Sequence, residues 1–426
     1  MRRSVQGRNL TDVRLNNRAA IFSSIRQVGR ISRSELARAS GLNPATVTHI
    51  VRELIDQGLV EEAGTKSMPR GRPMTMLRLR PDRGCVVAVS LSRQSVLVVL
   101  TDLNMQETVG DRRQKICLAQ PVGEITQTIA ALINSVLAEN PAEARKIIGA
   151  GINAPGVFDG MEEGALASAP HLLAWPKSTF RDQIETLTGL PTFVDNDANA
   201  MALAEMWFGV AQGLSDFVCL LVDTGVGGSI VMGGDVYRGA HNAAGEIGHT
   251  TIQLDGPRCG CGNRGCLELY ASPQAAVLAA QRAIQAGQPS RLSDISSGMS
   301  FASVVEAASQ GDGVALKALE SVGQALGAGI VNMLNSVDPE AVVIGGRICL
   351  AGDLVLNPVR EVVEQRAFLR AHRGVPILMA SLKEKALVMG AYCLVLREMI
   401  TRPEISFTGS SLKLPLHGTG ERRSSS

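Results

Sequence analysis

The first 60 residues contain two stretches in which apolar side chains recur at helical spacing. The first stripe consists of Ile21, Phe22, Ile25 and Val28, and the second consists of Val47, Ile50, Val51, Leu54 and Ile55. This spacing places the apolar side chains on one face of a helix. Gly29 and Gly58 follow the two stripes, and glycine commonly ends a helix. The pattern therefore predicts two amphipathic helices that pack on a shared core.

A shorter helix is predicted between these two from the residues at its ends. Ser32 and Glu35 have the spacing of a capping box, in which each side chain binds the free backbone N–H of the other residue. Gly41 ends this helix, and Asn43 followed by Pro44 is typical of the start of the next one. Two short helices joined by a tight turn indicate a helix-turn-helix unit.

The last of these helices leaves a polar face for contact with DNA. The candidate contacts at and after its start are Asn43, Ala45, Thr46, Thr48, His49 and Arg52. Small polar and methyl-bearing groups suit base edges in the major groove, whereas Arg52 suits a phosphate or a guanine. A recognition helix in the major groove is therefore expected.

Two short strands, at residues 59–62 and 76–79, are predicted on either side of a loop rich in Gly, Pro and Arg. The tip of this loop carries Arg70 and Arg72, which could enter a minor groove. Residues 1–83 are therefore predicted to form a winged helix-turn-helix DNA-binding domain. A small helical bundle used for dimerisation is the alternative interpretation.

The distribution of charge favours the DNA-binding interpretation. Residues 1–83 contain 16 basic and 7 acidic residues, a formal charge of +9, and the other residues contain 26 basic and 33 acidic ones, a charge of −7. A basic segment on an acidic body is typical of a protein whose partner is a polyanion. We therefore expect double-stranded operator DNA as a partner.

From residue 84 onward, buried runs alternate with helical segments, which predicts an α/β fold. Residues 86–91 and 95–100 are expected as buried strands or a hairpin, residues 125–138 as a helix and residues 147–153 as another strand. Residues 401–426 are rich in Ser, Gly and Pro and are predicted to be a disordered tail. No apolar run approaches the roughly 20 residues of a membrane span, so a cytoplasmic protein is expected.

Three of the eight cysteines form a cluster near one histidine. His249, Cys259, Cys261 and Cys266 offer one imidazole and three thiolates, a set that suits a tetrahedral Zn²⁺ site. Because the protein fills all four positions, the zinc is expected to be structural. Three core thiols that bind no metal are the alternative.

Several short motifs resemble those of the ROK family of bacterial repressors, open reading frames and sugar kinases. They are Ala154-Pro155-Gly156 and the segments 194–200, 223–228, 245–249, 259–268 and 342–346. The resemblance covers about residues 84–400 and implies an actin-like ATPase fold of two α/β lobes with a sugar cleft between them. The N-terminal domain makes the chain similar to the repressor branch of that family.

The resemblance also implies which residues meet a sugar. They are Asn196, Asp197, Glu246, His249 and Glu268, with the backbone of Gly156 close by. Asp197 matches the kinase residue that takes a proton from the attacked sugar hydroxyl. His249 would use one ring nitrogen for zinc and the other for the sugar.

The nucleotide side departs from the kinases of this family. Ser90-Leu91-Ser92-Arg93-Gln94 stands where those kinases have Asp-x-Gly-Gly-Thr, and Asp223 replaces a glycine of the second phosphate loop. Two like charges about 4 Å apart cost on the order of 4 kcal/mol near a protein surface, so an inward Asp223 would weaken ATP binding. His171 stands where asparagine is common in the family. The departures at residues 90–94 and at Asp223 predict a degenerate kinase without activity, in which Asp197 is a vestigial base, whereas His171 bears on which ligand binds.

The sequence therefore predicts a repressor of carbohydrate uptake or catabolism genes whose effector is a sugar or a sugar phosphate. A homodimer or a dimer of dimers is expected, with two heads on a pseudo-palindromic operator. One alternative is an active ATP-dependent sugar kinase with an added DNA-binding domain. Another is a regulator whose signal is a partner protein instead of a sugar.

Overall fold

A computed structural model describes residues 10–67, 73–80, 84–105, 108–117, 120–159, 165–168, 180–293 and 298–401. The predictions for Arg70, Arg72, His171 and the tail after residue 401 lie outside this range. The boundary predicted between residues 83 and 84 stays a prediction.

The N-terminal head is a winged helix-turn-helix, as the sequence predicted. Its elements are α1 (Leu10–Val28), β1 (Ile31–Ser32), α2 (Arg33–Ser40), α3 (Pro44–Asp56), β2 (Val60–Lys66) and β3 (Met74–Leu79). The three strands form an antiparallel sheet in the order β1-β3-β2. Strands β2 and β3 flank the predicted wing.

The helix ends of the head follow their local sequence. Ser32 and Glu35 form the capping box at the start of α2, and Gly41 ends that helix in the left-handed region with φ of 68°. The side chain of Asn43 accepts a hydrogen bond from the backbone N–H of Thr46 at the start of α3. One detail of the prediction was wrong: Val28, the last residue of α1, is 57% exposed because no described part of the head covers the end of that helix.

The first lobe of the body is built on a five-stranded sheet in the order β10-β7-β4-β5-β6. Its elements are β4 (Cys85–Leu91), β5 (Ser95–Asp102), β6 (Thr108–Lys115), α4 (Val122–Glu139), α5 (Pro141–Ala144), β7 (Ile147–Ala154), β8 (Val157–Asp159), β9 (Ala165–Ser168), α6 (Phe180–Thr188), β10 (Thr192–Asn196) and α7 (Asp197–Phe208). Strands β4, β7 and β10 are parallel, so their carboxyl ends meet at one edge. Strands β4 and β5 form the predicted hairpin.

The second lobe is built on another five-stranded sheet, in the order β13-β12-β11-β14-β15. Its elements and the final helix are β11 (Phe217–Val222), β12 (Val226–Met232), β13 (Asp235–Val236), α8 (Glu268–Ala271), α9 (Pro273–Gln285), α10 (Phe301–Ser309), α11 (Gly313–Val337), β14 (Ala341–Gly345), α12 (Asp353–Arg366), α13 (Arg370–Arg373), β15 (Ile377–Met379) and α14 (Ala386–Thr401). Helix α14 returns to the first lobe and packs on β7, β4 and α7. The two-lobed α/β body that the sequence predicted is thereby confirmed.

Helix α11 has the length and composition of a membrane span, with a mean hydropathy of 1.3 over its most apolar stretch. Of that stretch, 61% is buried inside the protein. The helix packs along α12 and contributes Leu319, Leu326 and Ile330 to the core of the second lobe. Helices in the cores of proteins can have the same length and hydropathy as a membrane span, so we treat α11 as part of the core.

The head packs directly on the body. Helix α1 contacts α14 and α7, and its buried residues Phe22 and Ile25 belong to the same hydrophobic cluster as Trp207 and Tyr392 of the body. An apolar contact of this kind limits independent motion of the two parts. The structure therefore joins the DNA-binding head to α7 and α14 of the body through one apolar cluster.

Candidate functional site

The four predicted metal ligands lie together in the loop between β13 and α8. Their ligand atoms are all within 4.8 Å of one another. The Sγ atom of Cys259 lies 3.7 Å from Nδ1 of His249, and the Sγ atoms of Cys261 and Cys266 are also 3.7 Å apart. Two ligands at about 2.3 Å from a tetrahedral ion lie about 3.8 Å from each other. The donor set and its spacing therefore fit a zinc ion.

Local backbone geometry brings these thiols together. The N–H of Cys259 donates to the carbonyl of Asn263 over 2.8 Å, and the N–H of Gly262 donates to the carbonyl of Cys259 over 3.0 Å. Gly262 has φ of 94°, in the region that favours glycine. Burial raises the pKa of the Cys266 thiol. Burial also acts to raise the pKa of Cys261, but the N–H of Asn263 and the neighbouring thiols lower it overall.

A small cavity lies where the carboxyl edge of the first sheet faces the second lobe. It is lined by Gly156, Asp195, Asn196, Asn199, Gly228, Arg238, Asn242, Ala244 and Glu246. Three of the residues predicted to meet a sugar, Gly156, Asn196 and Glu246, are among them. The metal cluster adjoins this cavity, since Nε2 of His249 lies 4.0 Å from Oε2 of Glu246.

Asn196 connects two sides of the cavity. Its Oδ1 accepts the N–H of Ala198 over 2.8 Å and so caps α7, and its Nδ2 donates to the carbonyl of Gly156 over 2.9 Å. Helix α7 therefore begins in the cavity wall. A ligand that contacts Asn196 would therefore contact the residue that caps this helix.

Asp197 is the first residue of α7 and is partly exposed to the cleft. Desolvation raises its pKa to about 6, and the negative charges of Asp223 and Glu246 act in the same direction. The N–H of Ala198 and the positive charge of Arg93 oppose this rise. A carboxyl group with this pKa can exchange a proton near neutral pH.

Glu268 borders both the metal cluster and the cleft. Its Oε1 lies 3.1 Å from Sγ of Cys259 and 3.6 Å from Nδ1 of His249. Its Oε2 is 2.6 Å from the position that a Cβ atom would take at Gly225. Glu268 therefore stands between the predicted zinc site and the turn that follows β11.

One ion pair of the cavity was not predicted from the sequence. Arg238 donates from Nη1 to Oδ1 of Asp195 over 3.0 Å and from Nη2 to Oδ2 over 2.5 Å. Asn199 donates to the same Asp195 carboxylate over 3.2 Å. Asp195 lies inside one of the motifs that carry the family resemblance, whereas no sequence signal marked Arg238.

The two turns that correspond to the phosphate loops of the family's kinases differ from the sequence-based expectation in one respect, the environment of Asp223. Residues 92–95 form a tight turn, in which the N–H of Ser92 donates to the carbonyl of Ser95 over 2.8 Å. Asp223 forms an ion pair with Arg347. The predicted cost of about 4 kcal/mol assumed an uncompensated carboxylate, and the positive charge of Arg347 makes that estimate too large.

The polar face of α3 points away from the core of the head as expected. Ala45, Thr48, His49 and Arg52 are exposed, and Thr46 is half-buried. The Nε2 atom of His49 lies 3.2 Å from Oε1 of Glu53, and the Thr48 hydroxyl donates to the carbonyl of Pro44 over 2.7 Å. Glu53 also binds the buried Arg18 of α1 over 3.1 Å, which fixes α3 on α1.

Comparison with known proteins matches residues 86–398 to the ROK family and residues 16–61 to a winged helix-turn-helix DNA-binding family. The chain belongs to the ROK family. The putative xylose repressor of Caldicellulosiruptor sp. strain Rt8B.4 is 32% identical to this ROK chain over 390 residues, which are 91% of this chain and 97% of that repressor.

Two crystal structures extend the comparison to the fold. A ROK family transcriptional regulator, described as a homologue of the E. coli MLC protein, has a TM-score of 0.76 and 29% identity, covering 93% of this chain and 99% of that one. A ROK family glucokinase from Streptomyces griseus, in complex with glucose and AMPPNP, has a TM-score of 0.64 and 30% identity. The glucokinase covers 72% of this chain and 98% of its own.

Proposed function

We propose that this ROK protein is a sugar-responsive transcriptional regulator that represses genes of carbohydrate uptake or catabolism. The observation that carries the proposal is the continuous core between a winged helix-turn-helix head and the body that holds the cleft. The similar regulator spans both parts, covering 93% of this chain, whereas the glucokinase covers 72%. The chain therefore has the organisation of a regulator.

The sugar is proposed to bind in the cavity between the lobes. Asn196, Asp197, Glu246, His249 and Glu268 would bind its hydroxyls, with Gly156 beside it. Carboxylates and amides suit this role because each can bind two vicinal hydroxyls, and a missing partner leaves a buried polar group unpaired. The ion pair of Arg238 with Asp195 would hold the cavity wall during binding.

The metal cluster is proposed to hold a structural zinc ion. His249, Cys259, Cys261 and Cys266 would ligate it, leaving no open position for a water molecule. The ion would fix the loop that presents Glu246 and would orient the His249 ring. Its contribution is therefore to the shape of the sugar cavity.

The coupling between effector and DNA is proposed to pass along α7. This helix begins at the cavity with the Asn196 cap and ends at Phe208, which contacts the head. A helix moves as a rigid element, so a shift of its first turn reaches α1 directly. A homodimer with two heads would convert this shift into a change in operator affinity.

Phosphoryl transfer is the second candidate activity, because Asp197 keeps the position and the proton affinity of a base. We propose that the transfer does not occur, since Ser90 to Gln94 lack the glycines that let backbone N–H groups approach phosphates. An assay of ATP consumption with a panel of sugars distinguishes a regulator without activity from an active sugar kinase. Turnover at the ordinary kinase rate of about 1–100 per second would favour the enzyme.

The proposed function is tested with the full chain and its own upstream DNA. Gel shifts with that DNA, in the presence of xylose, glucose, N-acetylglucosamine and their phosphates, should reveal one compound that changes the Kd at least fivefold. The matched control is the same titration with an unrelated DNA of equal length. Unchanged operator binding with every compound, together with no thermal stabilisation, would favour a partner protein as the signal.

A further inference from the structure

Two connections join the lobes in the described chain. The first, residues 209–216, leads from α7 into β11, and the second, residues 380–385, leads from β15 into α14. Helix α1 of the head contacts α7 and α14, so these two are the head-bearing helices. Both belong to the first lobe. A movement of the second lobe relative to the head therefore bends the chain at these two connections.

One carboxylate, that of Glu205, fastens both connections. Glu205 lies in the last turn of α7 and is completely buried. Its Oε2 accepts the N–H of Val210, in the first connection, over 2.8 Å. The same atom accepts the N–H and the hydroxyl of Ser381, in the second connection, over 3.2 and 3.0 Å, and Oε1 accepts the N–H of Leu382 over 2.9 Å. The carboxylate therefore holds the two connections to each other and to the end of α7.

Gly209 leaves the space that this carboxylate occupies. A Cβ atom at this position would clash with Oε2 of Glu205, so even alanine would displace the carboxylate. The N–H groups of Gly209 and Ala211 donate to the backbone carbonyl of Glu205 over 3.0 and 3.1 Å. The first connection is therefore wrapped around both the backbone and the side chain of Glu205.

The residues around Glu205 join the head to the second lobe. Leu382 packs against the cluster that contains Phe22 of the head and also against the core that β11 and β14 form. Phe208, three residues after Glu205, lies under the guanidinium of Arg26 of the head. A shift at Glu205 therefore reaches a contact with the head within one helical turn.

We propose that Glu205 is a positioning residue of this regulator and that its carboxylate transmits movement of the second lobe to the head-bearing helices. This inference rests on the proposed function, because it takes the effector to bind in the cavity between the lobes. A buried carboxylate that accepts four donors is a rigid joint, since each lost bond leaves a buried polar group without a partner. Movement at the connections is therefore passed on to the head instead of being absorbed locally.

The test compares Glu205→Gln with wild type in the full-length protein. The amide keeps the size of the side chain but has one acceptor oxygen, so either Leu382 or the pair Val210 and Ser381 loses its acceptor. The probe is whichever of xylose, glucose, N-acetylglucosamine and their phosphates changes the wild-type operator Kd most. In Glu205→Gln the ratio of operator Kd values with and without this probe should fall about threefold or more. Ser381→Ala removes only the hydroxyl bond and should give a smaller change in the same direction.

Hydrogen exchange without any ligand tests the joint independently of the effector. In Glu205→Gln, the backbone N–H groups of Val210 and Leu382 should exchange faster. Those of α1 between residues 19 and 28 should also exchange about fivefold faster or more, because the helices that hold α1 are less firmly tied. Gly209→Ala displaces the same carboxylate without changing it and should give the same effects. Mass spectrometry of peptide fragments resolves these segments.

Asp312→Asn is the matched control, because Asp312 is also a buried carboxylate that accepts several donors. It accepts the N–H groups of Arg291 and Ala315 and the hydroxyl of Ser290, all within the second lobe. This variant should lower the melting temperature, as Glu205→Gln does, but keep the operator ratio and the exchange of α1. The comparison therefore separates transmission to the head from a general loss of stability.

The outcomes separate this inference from the proposed function. If a sugar changes wild-type operator affinity and acts equally on Glu205→Gln, the joint is wrong and the regulator stands. Exchange of α1 at the wild-type rate in both Glu205→Gln and Gly209→Ala would also overturn the joint, as would an equal loss of the ratio in Asp312→Asn. If no compound acts on wild type but α1 exchanges faster in Glu205→Gln alone of the two carboxylate variants, the proposed function fails and the link through Glu205 stands.

Discussion

The guanidinium carbon of Arg26 lies 4.0 Å from the centre of the Phe208 ring. Arg26 belongs to α1 of the head, and Phe208 is the last residue of α7, whose first turn lines the cleft. Arg26 also donates from Nη1 to the carbonyl of Asn104 over 3.0 Å. A cation over an aromatic face contributes about 0.5–2 kcal/mol. This contact therefore joins the head to the helix that begins in the sugar cavity.

Replacing Arg26 by alanine should weaken the effect of the sugar on DNA binding. The coupling between two sites is typically about 1–3 kcal/mol, and the loss of this contact should reduce the ratio of operator Kd values with and without effector at least threefold. Fluorescence anisotropy with saturating ligand measures this ratio. Arg30→Ala removes a neighbouring arginine that donates to the carbonyl of Ala63 within the head, and it should keep the ratio. An unchanged ratio in Arg26→Ala would show that this contact does not couple the effector site to DNA binding.

Removing the metal should lower stability and abolish the response to sugar. One zinc per chain is expected by native mass spectrometry, and Cys261→Ser or a chelator should lower the melting temperature and prevent ligand binding, because the same loop presents Glu246. Cys117→Ser changes an exposed cysteine outside the cluster and serves as the control. A folded protein without metal and with normal ligand affinity would contradict the zinc assignment.

Two parts of the head are expected to contact DNA in different ways: the recognition helix α3 reads bases, and the wing binds phosphates. His49→Ala or Thr46→Ala should relax the preference at particular operator positions by about 1–3 kcal/mol. Arg72→Ala should weaken binding to operator and random DNA equally and make the salt dependence shallower. Titrations of both DNAs at several salt concentrations measure these effects. A loss of base preference in Arg72→Ala would assign the wing to sequence reading instead.

Asp197 should make the unliganded protein less stable at neutral pH than at acidic pH. Its pKa is about 6 in the folded chain against an ordinary value of 3.8, so the folded state binds the proton more tightly and this group stabilises the fold as pH falls from 6 toward 4. One pKa unit corresponds to about 1.4 kcal/mol, and partial exposure to solvent reduces the effect. Asp197→Asn should therefore raise the free energy of unfolding by about 2 kcal/mol above pH 6.

This gain should fall to a small remainder at pH 4, close to the ordinary pKa of 3.8, and should vanish only well below that pH, where Asp197 is protonated in both the folded and the unfolded state. Urea unfolding at pH 4 and pH 8 compares the two proteins. Asp182→Asn, on the exposed face of α6, should show no comparable difference between the two pH values. Equal stability of wild type and Asp197→Asn at pH 8 would contradict the pKa assignment.

Glu246→Gln should give a repressor that no longer responds to its ligand. The amide keeps the shape of the side chain but replaces an acceptor by a donor, so the bonds to sugar hydroxyls are lost. Operator affinity without ligand should stay within twofold of wild type, while calorimetry should find at least tenfold weaker sugar binding. A variant that loses operator binding without any ligand would assign Glu246 to the fold of the head–body unit instead.

The sequence by itself determined those features that depend on neighbouring residues. The capping box of Ser32 and Glu35 and the cap of Asn43 involve bonds over three positions, so their spacing is visible in the chain. The same holds for the loop that gathers Cys259, Cys261 and Cys266, because turns with glycine at defined positions bring nearby thiols together. Buried apolar runs were likewise enough to predict β4 and β5 as strands, while the sequence left open whether the two pair as a hairpin.

Only the tertiary structure decided which distant charges meet. Arg238 pairs with Asp195 over 43 positions and Arg347 with Asp223 over 124, and neither pairing has a local signal. The second of these pairs compensates the charge of Asp223, so the repulsion expected from that carboxylate was overestimated. Glu205 and Leu382, and likewise Arg26 and Phe208, come together because whole lobes pack through their cores. Local hydrogen bonds are set by spacing along the chain, whereas contacts across a cleft or between domains are set by how complete elements pack.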